Sequence, residues 1–326
     1  MYKPPFSISI YMLSKVISIT EKLGRITSFQ SLKRMPTLRH NNTIKSIHSS
    51  LVIEANSLSL DQVRDVIEGK IVLGSQKEIQ EVKNAYQAYS MIDQFDCYRE
   101  EDLKKAHKIL TNLIEADAGK YRNHGEGVYD GDRLIFMAPG ANMVPSLMFD
   151  LFDWLAHDEE TPVLIKSCVF HYEFVFIHPF GDGNGRTARL WQNVLLTRWN
   201  PVFQYIPIES QIIKYQDEYY KAIALCHTKG NSDIFIEFML RMIDEVLDDV
   251  LSNVQRESEN ISDQVNRLLE VMETDIPLSA NEIMARLHIK SKETLRNTYL
   301  NPAIENGLIK MTIPDKRNSK NQKYYK

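Results

Sequence analysis

The sequence predicts a mainly α protein: a helical core that carries one β-hairpin, followed by a smaller C-terminal domain of helices and a basic hairpin. Three observations predict it. Apolar residues recur at helical spacing through much of 43–250, and 163–177 is apolar almost all round, as a central buried helix should be. A single Asp130-Gly131 pair stands between β-formers, which favours a tight primed turn. After residue 262 the pattern restarts with two serine-capped helices and two short β-rich stretches. A length of 326 residues suits two domains of roughly 150 residues each.

Residues 1–40 read as a poorly specified lead-in with one helix over 11–22, and 41–250 as the core. The core's first helix, 43–56, has Ile47, Leu51 and Val52 on an apolar side and runs to Asn56 as its C-cap; Ser59 opens the next helix. A helical tract over 60–92 is broken at Gly69 and Gly74, and buries Val82, Ala85, Tyr86 and Tyr89. An amphipathic helix spans 101–114. The hairpin, 128–138, is marginal alone in a helical protein, so it must pack on something or be held for function. Helices follow at 146–154, 163–177 and 190–199.

The stretch 203–208 reads as β-like or extended and leads to Glu209. Tyr215, Tyr219 and Tyr220 lie on the next helix, where their rings either line a ligand or pack in the core. Helix 234–250 closes the core, and 251–262 is polar, a linker or a solvated helix. In the second domain, 263–326, Ser279 and Glu282 form a capping box, and Ser291 caps a helix over 292–305 that stops at Gly307. Strands 308–313 and 322–325 flank a basic turn, 314–320. Helix, turn, helix and basic hairpin look like a winged helix.

A formal net charge of −4 argues against a wholly basic nucleic-acid coat protein and leaves local basic patches open. Cys97, Cys168 and Cys226 are odd in number and far apart, with no C-x-x-C, so neither a disulfide framework nor a structural zinc site is expected; a reducing, cytoplasmic setting is. The apolar patch 6–19 is broken by Lys15 and shows no small-residue cleavage site, and no apolar run is long enough to span a membrane. P-loop and protein-kinase motifs are absent from the sequence.

The chemistry is concentrated in His178-Pro179-Phe180-Gly181-Asp182-Gly183-Asn184-Gly185-Arg186-Thr187-Ala188-Arg189, between two apolar helices. Gly181, Gly183 and Gly185 let the chain bend sharply and expose successive N–H groups at a helix start, a cup for an anion such as phosphate. Arg186 and Arg189 stand in the first turns of that helix, where cations are disfavoured and something negative must compensate them. Three residues apart, they share a face and reach one polyphosphate, with Asn193 further along. Asp182 supplies the single carboxylate that, with phosphate oxygens, completes a Mg2+ site. His178 is the group that takes a proton near neutral pH and turns a hydroxyl into a nucleophile. Phe180 reads as a buried anchor, and His171 as a satisfied core or supporting histidine.

This string resembles the signature of the Fic family, H-x-F-x-(D/E)-G-N-G-R-x-x-R, at every fixed position. The resemblance implies a protein adenylyltransferase, a nucleotidyltransferase that moves AMP from ATP to a Ser, Thr or Tyr hydroxyl of a protein, itself included. His178 would be the base, Gly183, Asn184, Gly185, Arg186, Arg189 and Asn193 would hold the nucleotide, and Asp182 the Mg2+. Doc-like kinases of the same kind usually break the G-N-G-R part, so the intact form favours nucleotidyl transfer. Ser50 and Glu54 are similar to the family's inhibitory motif, (S/T)-x-x-x-E-(G/N), with Ala55 in place of glycine or asparagine. This implies the class with an N-terminal inhibitory helix, 43–56, in which Glu54 pairs with Arg189 at the γ-phosphate position. The family's flap registers a target chain by strand addition, which gives Leu134, Ile135 and Phe136 that role.

Several Fic proteins also carry a C-terminal winged helix, and here Lys310, Lys316, Arg317, Lys320, Lys323 and Lys326 face Asp315 alone. DNA, a protein partner and the Fic core itself all remain open as what it binds. A homodimer follows only from family tendency. Transfer from another nucleotide, removal of AMP from a modified protein, and a nucleotide-sensing DNA-binding regulator stand as alternatives; the intact His178 argues against the last.

Overall fold

A computed structural model describes residues 2–28, 36–130, 133–260, 263–316 and 319–326. Gly131 of the hairpin turn, residues 261 and 262 of the polar stretch, and Arg317 lie outside the described residues, as do the side chains of Leu134 and Ile135. The chain divides into two compact units, 1–23 with 42–248 and 24–41 with 249–326. The expected mainly α fold is borne out.

Helices α1 (Ile10–Ser28), α2 (Pro36–Ile53), α3 (Leu60–Ile67), α4 (Gln76–Tyr89) and α5 (Glu100–Leu110) precede the hairpin of β1 (Gly127–Asp130) and β2 (Arg133–Met137). Then come α6 (Val144–His157), α7 (Val163–Ile177), α8 (Asn184–Trp199), α9 (Glu209–Lys214), α10 (Gln216–Lys229) and α11 (Asp233–Asn260). Helices α7 and α8 pack against each other at the centre of the core. Every residue of α7 from Leu164 to Phe174 is buried, as is α8 from Arg186 to Thr197, so neither has a solvent face. Burial on all sides is what an apolar segment without amphipathic periodicity requires.

Serines punctuate the helix starts, Ser59 where the sequence marks it and Ser75 in addition. Ser59 and Ser75 each form a full capping box, with Gln62 and Glu78 respectively, at the starts of α3 and α4. The hairpin strands pair antiparallel, Val128 opposite Phe136, with an irregularity between Val128 and Tyr129. Residues 251–260 are the last turns of α11. The stretch expected to be β-like, 203–208, is instead mostly a 3₁₀ turn, Pro201–Tyr205. Asn200 accepts a hydrogen bond from Val202 N–H and Pro201 fixes the first turn position, so the start signal outweighs the β-branched composition that follows.

In the second unit, α12 (Asp263–Val271), the strand β3 (Leu278–Ser279), α13 (Ala280–Leu287), and a helix formed by α14 (Lys292–Thr294), a π-turn over 295–300 and α15 (Asn301–Glu305) enclose an apolar core. Strands β4 (Lys310–Met311) and β5 (Lys323–Tyr325) complete an antiparallel sheet in the order β3-β5-β4. Val265, Leu268, Ile283, Leu295 and Ala303 are its most deeply buried residues.

The end of α2 corrects one expectation. The helix stops at Ile53, Glu54 is the capping residue, and the chain turns at Ala55, whose φ is +64°. Asn56 N–H bonds to Leu51 O (3.1 Å) and Ala55 N–H to Val52 O (2.9 Å), the paired pattern that closes a helix through a left-handed residue. An L-residue in that conformation is strained by about 1–2 kcal/mol, whereas glycine is not. Against the entropy glycine regains on unfolding, Ala55→Gly is expected to raise the unfolding free energy by about 0.5–1 kcal/mol, measured by urea denaturation.

Candidate active site

Helix α7 ends on His178, which closes it in a left-handed conformation (φ +50°) and so turns the chain into the loop. Gly183 (φ +77°) opens α8 at the other end; a Cβ there would meet Thr111 Cγ2 at 2.8 Å. Between them Phe180 is fully buried and stacked on the His107 ring, centroids 3.6 Å apart. Asn184 turns its buried side chain back into the loop, where Oδ1 accepts from Phe180 N–H (2.9 Å) and Nδ2 donates to Phe180 O (2.7 Å). The expectation that Asn184 cradles a phosphate is thus narrowed to its main chain, because its amide is consumed in closing the bend.

His107, to which no motif in the sequence points, holds the loop from outside. Gly119 N–H donates to His107 Nδ1 (2.9 Å), so Nε2 carries the proton and donates to Asp182 O (2.9 Å). Arg122 is a second unforeseen contributor, bonded to the main chain of His178 (2.7 Å). Both come from segments far away in sequence, which no local pattern links to the loop.

Arg186 and Arg189 are buried, and each has an acid. Arg186 Nη1 donates to Glu81 Oε1 (3.2 Å) and Nη2 to Asp182 Oδ2 (3.1 Å), while Asp182 Oδ1 accepts from Gly183 N–H (2.6 Å). Glu81 was not foreseen. Burial works against the Asp182 carboxylate, but the Arg186 charge and the Gly183 N–H more than offset it, and its pKa lies below the usual value. Arg189 Nη2 donates to Glu54 Oε1 (2.7 Å) and Ser50 O (3.0 Å), and Nε to Ser50 Oγ (3.1 Å). Burial opposes its charge, and the Glu54 carboxylate prevails and raises its pKa. The same carboxylate lies so close over Gly185 that a Cβ at that position would collide with it. The anion at the start of α8 is therefore supplied by the end of α2.

Asn193 does not join this group. It is 3% exposed and donates to the buried Glu209 Oε1 (2.7 Å), which also accepts from Tyr89 O–H (2.6 Å). Helical spacing places it on the arginine face, but that face is covered by α9 at this depth. Phe136 of the flap also turns inward: its ring stacks on His227 at 3.9 Å and lies 5.3 Å from Phe176. His171 is the satisfied core histidine expected, with Nδ1 to Gln192 Oε1 at 2.6 Å and Nε2 to Tyr219 O–H at 3.0 Å.

The His178 ring is mostly buried, and its Nδ1 has no hydrogen-bond partner. Burial lowers its pKa, against the favourable Val175 carbonyl and Glu126. A neutral imidazole is the form that accepts a proton.

A histidine whose pKa is lowered by burial, a glycine-lined helix start and two acid-paired arginines meet at one loop of a helical protein. The Fic/DOC family model matches residues 94–196, and the model of the Filamentation induced by cAMP protein Fic-like C-terminal domain matches 263–325. A solved Fic family protein from Desulfovibrio desulfuricans G20 is 40% identical, with a TM-score of 0.77 over 99% of this chain and 98% of that one. The chain belongs to the Fic family. It is 26% identical over 279 residues to the protein adenylyltransferase fic-1 of Caenorhabditis elegans, covering 81% of this chain and 52% of that protein. The protein adenylyltransferase Fic of Nematostella vectensis is 28% identical over 221 residues, 64% of this chain and 48% of that protein. The chain thus spans about half the length of these curated relatives.

Burial holds His107 at about 4 and His171 at about 3, both below the usual histidine value of 6.5. A ring whose folded pKa is depressed contributes its stability fully above the unfolded pKa and loses it as pH falls toward the folded one. Unfolding free energy is expected to fall by about 2 kcal/mol per ring between roughly pH 7 and 5. His107→Gln and His171→Gln should each flatten that slope in urea titrations at stepped pH.

Proposed function

We propose that this protein is a protein adenylyltransferase that moves AMP from ATP to a Ser, Thr or Tyr hydroxyl of a protein. The observation that carries the reading is the loop itself: a neutral His178 at the entrance of a helix-start cup whose anion is the protein's own Glu54. The names of the relatives point the same way.

In the reaction, His178 takes the proton of the target hydroxyl, and the oxygen bonds to the α-phosphorus of ATP as the bond to pyrophosphate breaks. The first-turn amides of α8, at Gly183, Asn184 and Gly185, offset phosphate charge together with Arg186 and Arg189. Asp182 is the residue that would hold Mg2+: one ionised carboxylate is the donor count suited to an ion whose other ligands are phosphate oxygens and water. When bound, Mg2+ would neutralise charge on the phosphates.

Glu54 is the inhibitory residue, with Ser50 supporting it on the same guanidinium. While the carboxylate lies on Arg189 and over Gly185, ATP cannot place its terminal phosphate there and stay aligned for transfer. The edge of the β1–β2 hairpin offers main-chain groups for strand addition by the target. The second unit has the order of elements of a winged helix and serves as a docking module for DNA or protein, with Lys310, Lys316, Lys320 and Lys323 exposed along it.

His178→Ala is expected to lower transfer by at least about 10²–10⁴-fold while ATP binding by calorimetry is retained; unchanged target labelling would place the base elsewhere. Glu54→Gly is expected to raise transfer, self-modification included, by roughly 5–150-fold, the range of a coupling of 1–3 kcal/mol. Mass spectrometry after incubation with ATP, GTP, UTP or a CDP-linked donor reads both effects and the nucleotide preference.

A further inference from the structure

Arg122 is 5% exposed, and its guanidinium donates only to main-chain carbonyls: Nε to His178 (2.7 Å), Nη1 to His124 (2.8 Å), Nη2 to Pro139 (2.5 Å) and to Ile177 (3.3 Å). Its own N–H donates to Pro179 O (2.9 Å). These acceptors belong to two places that must be aligned. Ile177 and His178 are the end of α7, where unsatisfied carbonyls and the negative end of the helix dipole favour a cation. His124 and Pro139 are the two roots of the hairpin, which is closed at its base by Ala138 N–H to Glu126 O (3.0 Å).

We propose that Arg122 is a positioning residue that ties both roots of the flap to the main chain of His178, so that the docked target strand and the base keep one fixed separation. The inference rests on the adenylyl-transfer reading for what the separation is used for; the tie itself is a matter of geometry. Carbonyls, unlike a carboxylate, bring no charge to pair the cation, so the gain is orientation. A fork with five N–H donors can hold acceptors on diverging directions in one plane, which an ammonium cannot. The tie also holds His178 in its left-handed backbone (φ +50°), a conformation that costs about 1–2 kcal/mol. Without it the residue is free to relax and carry its ring away.

The cation has a second consequence. Arg122 disfavours protonation of His178, whereas Glu126 from the flap root and Glu54 from the end of α2 favour it; His227 of α10 is the other titratable ring facing it. Geometry and charge can therefore be separated by two substitutions. In the Glu54→Gly background, Arg122→Lys keeps the charge and loses the fork, and Arg122→Gln loses both.

Both variants are expected to transfer AMP to the substrate labelled by the Glu54→Gly parent about 10²-fold more slowly, with ATP affinity close to the parent's. The acid limb of rate against pH should move to higher pH in Arg122→Gln and stay in place in Arg122→Lys. Parent-like rates in either variant, or acid limbs that move together, overturn the inference. If the variants fail to fold, hydrogen exchange in the unsubstituted protein decides. Arg122 N–H and Ala138 N–H are expected to exchange through one common opening with equal protection, and much faster exchange at Ala138 overturns the tie. Failure of the Glu54→Gly parent to label anything would remove the functional reading, and the exchange result would still decide on Arg122.

Discussion

The contact on which the site depends is the pairing of Arg189 with the capping residue of α2. A guanidinium buried within the first two turns of α8 faces two penalties at once, loss of hydration and the positive end of the helix dipole. An acid must be present, and Glu54 supplies it at 2.7 Å while Ser50 accepts from Nε and from Nη2. Glycine at 185 leaves room for that carboxylate, which a Cβ there would displace. Tyr220 O–H and Gln216 Nε2 both donate to the Ile53 carbonyl, 3.0 and 3.3 Å, so α10 holds the same helix end in place.

Around that pair the protein invests in neutral polar groups. His107 and His171 are kept uncharged by burial and have fixed tautomers, one set by Gly119 N–H and the other by Gln192 and Tyr219. A charged ring at either position would add to the cation already in the site. Neutral rings fix the loop and the floor of α7 without competing for the anion, and this leaves the electrostatics to the two arginines, Asp182, Glu81 and Glu54.

Much of this was legible in the sequence. The limits of α7 follow directly from an apolar run that stops at a histidine and glycines, and Asp130-Gly131 marked the flap. The pairing of residues 54 and 189 was suggested by a charge argument together with a family resemblance. What escaped was set by contacts across long stretches of chain. Glu81, His107 and Arg122 lie 105, 75 and 56 positions from their loop partners, and each sits on an element that reads locally as scaffold or connection. For Asn184 and Asn193, spacing along the helix gives the position of the side chain but not the partner that takes its amide. Glu209 covers one, and the loop folds back on the other.

The two arginines are restrained in different ways, and the difference bears on how the proposed inhibition would be relieved. Arg186 is held by Glu81 of α4 and by Asp182 of the loop itself. Arg189 relies for its acid on Glu54, whose side chain remains 34% exposed. Yet the two are joined: Asn56 Nδ2 donates to Glu81 Oε2 (2.8 Å), the carboxylate whose other oxygen takes Arg186. The turn that carries Glu54 is thus pinned two residues later to the partner of the neighbouring arginine. A ligand that draws Arg186 away from Glu81 loosens the tether beneath Glu54, and one that displaces Glu54 frees Glu81 in turn. Relief by nucleotide alone therefore requires breaking a network rather than one ion pair.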